Sequence, residues 1–232
     1  IRDGMFGKLK IAYGYCCKPR GGIGHKEPGD PPENLDWNLW RGPACVDEFH
    51  GNLVHYNWHW WYNFGTGDIG NDGTHEIDYA RWGLGVEGLP ATATGLGGKY
   101  FFDDDQQFDD TATVVFEWPG NGRVGSKRQL IYEIRIWSRN YPYNCDMGAE
   151  FYGTRGQIFV SLRGKMQILN EKNQRIEAEP KDPPKIIENH YADFVDAVKT
   201  GRRPNADIED GHLTATLCHL GNICTRVRRT LR

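Results

Sequence analysis

"TATVVFEW", residues 111–118, is the first of five closely spaced β-rich segments that decide the fold. The other four are QLIYEIRIW (129–137), GAEFYGT (148–154), QIFVSL (157–162) and MQIL (166–169). Each is rich in β-branched and aromatic residues, and Gly, Asn and Asp separate one segment from the next. Because no helical pattern lies between them, we expect one largely antiparallel sheet.

The residues before these segments add strands and a helix. KLKIAYGYCCKP (8–19) alternates as a strand does, and TATGLGGKYFF (92–102) is a further strand candidate. Gly and Pro make 20–34 a loop, and LDWNLWRGP (35–43) predicts a short helical turn that ends at Gly-Pro. Residues 68–82 carry apolar anchors and are followed by glycines, so they predict a helix.

The residues after these segments close the chain with helices. A polar linker, 170–184, precedes two predicted helices, at 187–200 and from 208 to near the end of the chain. Four apolar residues share one face of the first of them: Tyr191, Phe194, Val195 and Val198. The order of strand, helix, strands and two helices predicts an α+β fold.

Composition limits the function. The chain has 232 residues, 38% of them hydrophobic, which is enough for the core of one large domain. Its formal net charge is −3, with acids and bases mixed along the chain, so we expect no nucleic acid partner. No run of about 18 apolar residues is present, and we therefore predict no membrane-spanning helix.

The six cysteines bear on location. They stand at 16, 17, 45, 145, 218 and 224 and form no CxxC pair. We interpret them as reduced, mostly buried thiols, which favours the cytoplasm. The sequence begins with Ile1 rather than Met, so a removed export signal and a periplasmic location stay open.

The front of the chain lacks a nucleotide-binding signature. A dinucleotide fold needs GxGxxG between a strand and a helix, whereas Gly21, Gly22 and Gly24 are followed by prolines. We therefore predict no dinucleotide-binding domain in this chain.

An aromatic-rich stretch, VHYNWHWWYN (54–63), combines residue types that suit a sugar. Aromatic faces stack on the CH face of a sugar ring, and His and Asn side chains bond its hydroxyl groups. The candidates for substrate binding here are His55, Asn57, His59 and Trp61, with core packing as the alternative for the tryptophan. His55 and His59 would chelate a metal if the stretch were helical, but the crowding aromatic residues lead us to predict no metal site.

Three more residues are candidates for substrate binding. Lys18 and Arg20 lie at the end of the first predicted strand, where loops often carry ligand contacts, and Asp68 begins the predicted helix. A solvated basic loop is the alternative for the first two.

The stretch GTGDIGNDGTHEIDYARWGLG (65–85) resembles the C-terminal domain of the Gfo/Idh/MocA family, the relatives of glucose-fructose oxidoreductase and inositol dehydrogenase. DWNLWRGPA (36–44) is similar to the family's Trp-rich loop, and 188–223 is similar to its closing helices. The likeness covers nearly the whole chain.

The resemblance implies that 1–232 is a single substrate-binding and oligomerisation domain, an open-faced sheet with helices packed on one side. In the family a separate Rossmann domain binds NAD(P). That domain is not in this sequence, so we expect no tight binding of NAD(P) by this chain alone.

The resemblance also implies catalytic candidates. His75 stands where the family has a His at the nicotinamide-facing end of its cleft, and an imidazole can take the hydroxyl proton when hydride leaves a carbinol carbon. The family often has Asp four residues earlier, where this sequence has Asn71, which orients a hydroxyl but cannot accept its proton. Asp78 is placed to orient the imidazole. Asp72 lies about 100° around the helix from Asn71 and is not included.

Three functions stay in competition. The first is the substrate-binding half of an NAD(P)-dependent sugar or polyol oxidoreductase. The second is a carbohydrate-active hydrolase, lyase or isomerase that does not use NAD. Its reaction would proceed either with or without the help of a metal ion. The third is a non-catalytic carbohydrate-binding or oligomerisation module. The expected partners are a small carbohydrate and further copies of the chain, which associate through the sheet face.

Overall fold

The computed structural model describes residues 1, 4–177 and 186–232, and only the backbone of residues 186 and 187. In chain order the strands are β1 (Leu9–Cys16), β2 (Pro28–Gly29), β3 (Phe49–His50), β4 (Thr92–Gly98), β5 (Thr111–Trp118), β6 (Arg128–Arg135), β7 (Met147–Gly153), β8 (Gly156–Val160), β9 (Met166–Asn170) and β10 (Arg175–Ile176). The α-helices are α1 (Trp37–Arg41), α2 (Gly67–Asn71), α3 (Gly73–Leu84), α4 (Ile186–Thr200) and α5 (Ile208–Val227). Short 3-10 helices cover Asn57–Trp60 and Pro142–Asn144.

Within the described residues, eight strands form one sheet in the order β10-β9-β8-β7-β1-β6-β5-β4. The pair β1–β6 is parallel, and the other neighbouring pairs of this sheet are antiparallel. The largely antiparallel sheet predicted from the sequence is therefore confirmed. Strands β2 and β3 pair separately. Strand β2 lies inside the segment 20–34 that the sequence predicted to be a loop, and β3 lies beyond the predicted helical turn.

One face of the sheet carries the core. Strand β5 shows why, because Ala112, Val114, Phe116 and Trp118 are buried while the residues between them are not. Helix α3 packs over β1, β6 and β7, and α5 packs over β4 and β5. The predicted α+β fold, an open-faced sheet with helices on one side, is confirmed.

Two predicted segments differ from the structure. The helix expected at 68–82 is divided at Asp72, which ends α2 and precedes α3, because Gly70 and Gly73 on either side of it are weak helix formers. The expected linker 170–184 begins with a hairpin, since the Asn170 side chain accepts hydrogen bonds from the backbone N–H groups of Lys172 and Gln174, both at 2.9 Å. Residues 178–184 of that expected linker lie outside the described residues.

Helix α4 forms as predicted, but its apolar face is uncovered. Tyr191, Phe194, Val195 and Val198 are 66%, 59%, 47% and 68% exposed, and Ala197 is the one buried side chain among those described on this helix. Arg202 and Asn205 hold the helix through Asp193. This face therefore contributes little to the core of the chain.

The six cysteines are all free thiols, and five of them are buried, whereas Cys45 is exposed. This arrangement agrees with the interpretation of the cysteines made from the sequence. Among the described helices, none is both long enough and apolar enough to cross a bilayer.

Gly83 of α3 packs tightly against a side chain of the sheet, and substitution there gives the first prediction. A Cβ on Gly83 would lie 2.3 Å from the ring of buried Phe151. We expect Gly83→Ala to lower the free energy of unfolding by about 1–2 kcal/mol, because overpacking outweighs the gain of about 1 kcal/mol in helix propensity. Urea unfolding followed by circular dichroism measures the change.

The matched control is Gly211→Ala in α5, where a Cβ would meet no atom within 4 Å. This substitution should raise the free energy of unfolding by about 0.5–1 kcal/mol. Equal effects of the two substitutions would contradict the close approach at Gly83.

Candidate functional site

A buried ion cluster lies where the chain leaving β1 meets α2 and α3. Arg20 donates from Nε and Nη2 to Oδ1 of Asp68, over 3.1 and 2.9 Å, and from Nη2 to Oδ2 of Asp72 over 3.0 Å. Trp60 donates from Nε1 to Oδ2 of Asp68 at 2.5 Å, and Arg20 Nη1 donates to the Tyr56 hydroxyl at 2.8 Å. The Arg20 side chain is only 8% exposed, so the cluster is shielded from water.

The sequence positions this cluster in two ways. Asp68, Asp72 and Glu76 are four residues apart, so α2 and α3 carry all three carboxyl groups on one face. This face packs directly on β1, since a Cβ on Gly14 would be in ordinary van der Waals contact with Glu76, 3.5 Å from its backbone oxygen. The backbone N–H of Arg20 donates to the Ile136 carbonyl at 2.6 Å, which anchors the arginine beside the end of β6.

Glu76 is the innermost of the three acids. It is 0% exposed, and neither carboxyl oxygen has a hydrogen-bond partner among the described residues. The hydroxyl groups of Tyr79 and Tyr132 are likewise buried and unpartnered. Burial, and then the charge of Asp72, raise the pKa of Glu76 to about 8. Glu76 is therefore a neutral acid at pH 7.

Arg20 is the cation at the centre of the cluster. Burial opposes the charge of Arg20, but the carboxylates of Asp68 and Asp72 outweigh it and raise the pKa of the guanidinium. Burial raises the pKa of Asp68, and neighbouring Asp72 adds to this, while Arg20 and Trp60 act in the opposite direction. The two charge-assisted bonds from Arg20 favour the ionised form of Asp68. Arg20 contacts both aspartates, and Lys18 lies beside Asp72.

Three of the predicted site residues reach the surface beside this cluster. Lys18 Nζ lies 3.9 Å from Asp72 Oδ1, and its side chain is 42% exposed. Asn71 and His75 are exposed on either side of Asp72, whose carbonyl accepts a hydrogen bond from the His75 backbone N–H at 2.9 Å. Lys18 thus lies beside the buried cluster, and Asn71 and His75 are the exposed polar residues next to Asp72 on the helix pair that carries it. We call these three residues the polar rim.

The structure gives Asp78 a partner other than the imidazole it was expected to orient. Its Oδ1 accepts a hydrogen bond from the Thr214 hydroxyl at 2.6 Å and lies 3.8 Å from Nη2 of Arg81. No hydrogen bond joins Asp78 to the His75 ring within the described part of the chain. Burial raises the pKa of Asp78, although Thr214 and Arg81 lower it. Asp78 therefore ties α3 to α5.

His55 and His59 do not form the shared helical face on which chelation depended. The stretch contains a 3-10 helix instead, which leaves His55 exposed and His59 buried, with Nδ1 of His59 2.7 Å from the Tyr56 carbonyl. Across 1, 4–177 and 186–232, no three His, Cys, Asp or Glu side chains converge as a metal site. Asn57 is half-buried in the same 3-10 helix.

Trp61 turns away from the cluster that Trp60 enters. It lines a separate cavity of about 240 Å³ together with His50 and Phe64. Of the predicted substrate-binding residues, the structure thus gathers Lys18, Arg20 and Asp68 at one place and leaves Trp61 at another.

Sequence reasoning missed Asp72, Glu76, Trp60 and Tyr56 as parts of the cluster. Asp72 was set aside because it lies around the helix from Asn71, yet that rotation is what directs it inward to Arg20. The spacing of Asp68, Asp72 and Glu76 is a signal that could have found the acidic face. No sequence signal links Trp60 to Asp68.

The glycine-rich segment at residues 21–24 does not have the form of a dinucleotide-binding turn. Such a turn leads directly into a helix N-terminus. The chain from Gly21 to Gly24 leads instead into strand β2, and α1 begins only at Trp37.

The buried acid gives a prediction about pH. The pKa of Glu76 is about 8 in the folded chain against an ordinary value of 4.5, so the folded state holds this proton more tightly than the unfolded state. The free energy of unfolding should fall as pH rises from about 4.5 to about 8, by roughly 5 kcal/mol at most from this group. Glu76→Gln, which mimics the neutral acid, should remove that part of the slope.

Urea unfolding between about pH 5 and pH 8 measures the slope in both proteins. Glu33→Gln, in an exposed loop, is the control and should leave the slope as it is. Parallel curves for the parent chain and Glu76→Gln would show that folding does not raise the pKa of Glu76.

Several solved structures share this fold. The chain is similar to the aldose-aldose oxidoreductase from Caulobacter crescentus, crystallised with glycerol, with a TM-score of 0.68 and 15% identity over 100% of this chain and 57% of that one. It is similar to levoglucosan dehydrogenase in complex with NADH and levoglucosan, with a TM-score of 0.61 and 15% identity over 99% of this chain and 60% of that one.

A third similar structure is the WlbA dehydrogenase from Bordetella pertussis in complex with NADH and UDP-GlcNAcA. Its TM-score is 0.60, with 15% identity over 99% of this chain and 57% of that one. The chain therefore spans 57–60% of the length of these three proteins. At such identities the likeness establishes the fold alone.

The family is established by the sequence. No curated protein matches the chain. A sequence model described as the oxidoreductase family, C-terminal alpha/beta domain, matches residues 21–232, and this match confirms the resemblance inferred from the motifs. The chain therefore belongs to the Gfo/Idh/MocA oxidoreductase family, of which residues 21–232 are the C-terminal alpha/beta domain.

Proposed function

We propose that this chain is the substrate-binding and proton-handling part of an NAD(P)-dependent oxidoreductase that acts on a CH–OH group of a sugar or polyol. The observation that carries the proposal is the polar rim, in which Lys18, Asn71 and His75 stand exposed beside the buried Arg20–Asp68–Asp72 cluster. The neighbours crystallised with NADH and levoglucosan, or with glycerol, support the same class of substrate.

The rim suits the removal of a hydroxyl proton. When a nicotinamide is bound, it supplies the acceptor for the hydride that leaves the carbinol carbon. The substrate hydroxyl must lose its proton in the same reaction, and the exposed His75 imidazole is the group of this chain that can accept it. The Asn71 amide donates and accepts hydrogen bonds, so it orients the hydroxyl.

Lys18 complements this arrangement electrostatically. Its ammonium group donates hydrogen bonds and stabilises negative charge that develops on the substrate oxygen. Oδ1 of Asp72 lies 3.9 Å from Nζ of Lys18 and attracts the ammonium group, whose other side stays exposed to solvent. Because Arg20 fixes Asp72, the buried cluster positions the catalytic rim.

The role of His75 gives a prediction about turnover. His75→Gln keeps a polar side chain but cannot accept the proton, so kcat should fall by about 10²–10⁴-fold while KM changes little. The measurement is NADH formation by the full-length protein that contains this chain, with aldoses, alditols and glycosides as substrates, across a range of pH.

His212→Gln is the matched control, since His212 is exposed on α5 outside the rim. It should leave kcat unchanged. Normal turnover by His75→Gln would remove His75 from the reaction. Failure of the parent protein to reduce NAD(P)⁺ with any of these substrates would defeat the oxidoreductase proposal.

We also propose that copies of this chain associate through the open face of the sheet. Ile11, Tyr13, Ile131 and Tyr152 line an apolar depression of about 350 Å³ on the face that α3 leaves free. Leu96 of β4 lies on the same face and is 73% exposed. Pairing two such faces would remove these apolar side chains from water.

Leu96→Asp tests this association. A charge on the face should shift the protein from oligomer toward monomer by light scattering at equal concentration, because the carboxylate is buried without a partner in the assembly. Leu39→Asp is the control, since Leu39 is 80% exposed on α1, away from the sheet. A parent protein that is monomeric at high concentration would contradict the proposal.

A further inference from the structure

The cavity beside Trp61 is separate from the polar rim. Its walls come from the segment that contains β2 and β3, from residues 61–64 and from the turn at Gln107, and its volume is about 240 Å³. The two places are joined through consecutive residues, because Trp60 donates to Asp68 while Trp61 forms a wall of the cavity. We call this cavity the Trp61 pocket.

Aromatic rings form one side of the Trp61 pocket. The ring centroids of Trp61 and His50 are 4.5 Å apart, with 52° between the ring planes. Phe64 is held by Trp37 and Trp40, whose ring centroids lie 6.3 and 5.2 Å from its own. These contacts fix the rings, so the pocket offers a preformed apolar wall.

Unpartnered polar groups belong to the same pocket. The indole N–H of Trp61 is buried and has no acceptor among the described residues, although buried donors are normally paired. Glu48 and Asn63 also line the pocket, and neither has a hydrogen bond or ion pair with any described side chain or backbone group. A donor, a carboxylate and an amide are therefore available to a ligand here.

The segment that forms the pocket is held in place by Asp105. Its carboxylate accepts hydrogen bonds from the Lys26 backbone N–H at 2.8 Å and from Asn52 Nδ2 at 2.7 Å, and its Oδ1 lies 2.8 Å from Nδ1 of His25. Asp105 also donates its backbone N–H to the Gly24 carbonyl at 3.1 Å. The walls are thus fixed before any ligand arrives, which reduces the entropic cost of binding.

We infer that the Trp61 pocket is a second carbohydrate subsite, which holds a neutral sugar ring adjacent to the one that reacts at the polar rim. An aromatic wall takes the CH face of the ring, while Glu48, Asn63 and the indole N–H bond its hydroxyl groups. No Lys or Arg lines the pocket as described, and Glu48 repels anions, so a sugar phosphate or nucleotide sugar does not fit. The inference rests on the proposed function, because it takes a disaccharide or glycoside to be the substrate of that oxidoreductase.

The test compares disaccharides with their single-ring counterparts on the full-length protein. Cellobiose, maltose and lactose are titrated beside methyl glucosides and methyl galactoside by calorimetry and ligand-observed NMR. At least one disaccharide should bind about 10-fold or more tightly than its methyl monosaccharide. Trp61→Ala should abolish that advantage, and Trp61→Phe, which keeps a ring, should retain part of it.

Two further variants keep the test decisive if Trp61→Ala does not fold. Glu48→Gln and Asn63→Ala change exposed side chains, and each should reduce the disaccharide advantage several-fold while the monosaccharide affinity stays the same. Trp58→Ala is the matched control, since Trp58 is 43% exposed and does not line the pocket, and it should change nothing. Equal affinity for disaccharides and monosaccharides, or an advantage that survives the pocket variants, overturns the inference.

The same experiment separates this inference from the proposed function. His75→Gln should lower kcat by about 10²–10⁴-fold and leave the disaccharide advantage intact. Trp61-dependent disaccharide binding without any NAD(P)-linked turnover would leave the subsite standing and defeat the oxidoreductase proposal. Turnover with equal KM for one-ring and two-ring substrates would support the oxidoreductase proposal and overturn the subsite.

Discussion

The buried pairing of Arg20 with Asp68 and Asp72 is the constraint on which the site depends. It joins the chain that leaves the central strand β1 to the helix pair α2 and α3. Removing one partner of such a buried group typically costs about 3–5 kcal/mol, because the remaining charge has no compensation. The helix pair therefore has one favourable rotation on the sheet. That rotation places Asn71 and His75 outside and Glu76 inside.

A polar site must both hold its own structure and bind a ligand, and here different residues do each. Its buried members satisfy one another and are unavailable to a ligand, whereas Lys18, Asn71 and His75 keep their polar groups open to solvent. A neutral Glu76 limits the negative charge behind Lys18, so two cations face two aspartates. The same division recurs at the Trp61 pocket, where Asp105 fixes the segment and leaves Glu48 and Asn63 free to bind.

Local patterns predicted the fold better than the site. Strand β5 lies where alternation placed it, because Ala112, Val114, Phe116 and Trp118 alternate with half-buried or exposed residues along a single strand. The hairpin that ends in β10 was missed, since it depends on side-chain bonds from Asn170 rather than on hydrophobic alternation. The bond from Arg20 to Asp68 joins residues far apart in sequence, so no local pattern predicts it. His55 and His59 do not share a helical face, because residues Asn57–Trp60 form a 3-10 helix that local periodicity did not indicate.

The central position of β1 has a consequence for biosynthesis. Its neighbours are β6, which begins at Arg128, and β7, which begins at Met147, so β1 is translated long before either of its partners. Both hydrogen-bonding edges of β1 stay unpaired until β6 has been made, and one of them until β7 has been made. Unpaired edges recruit other strands, so the growing sheet is open to mispairing during this interval.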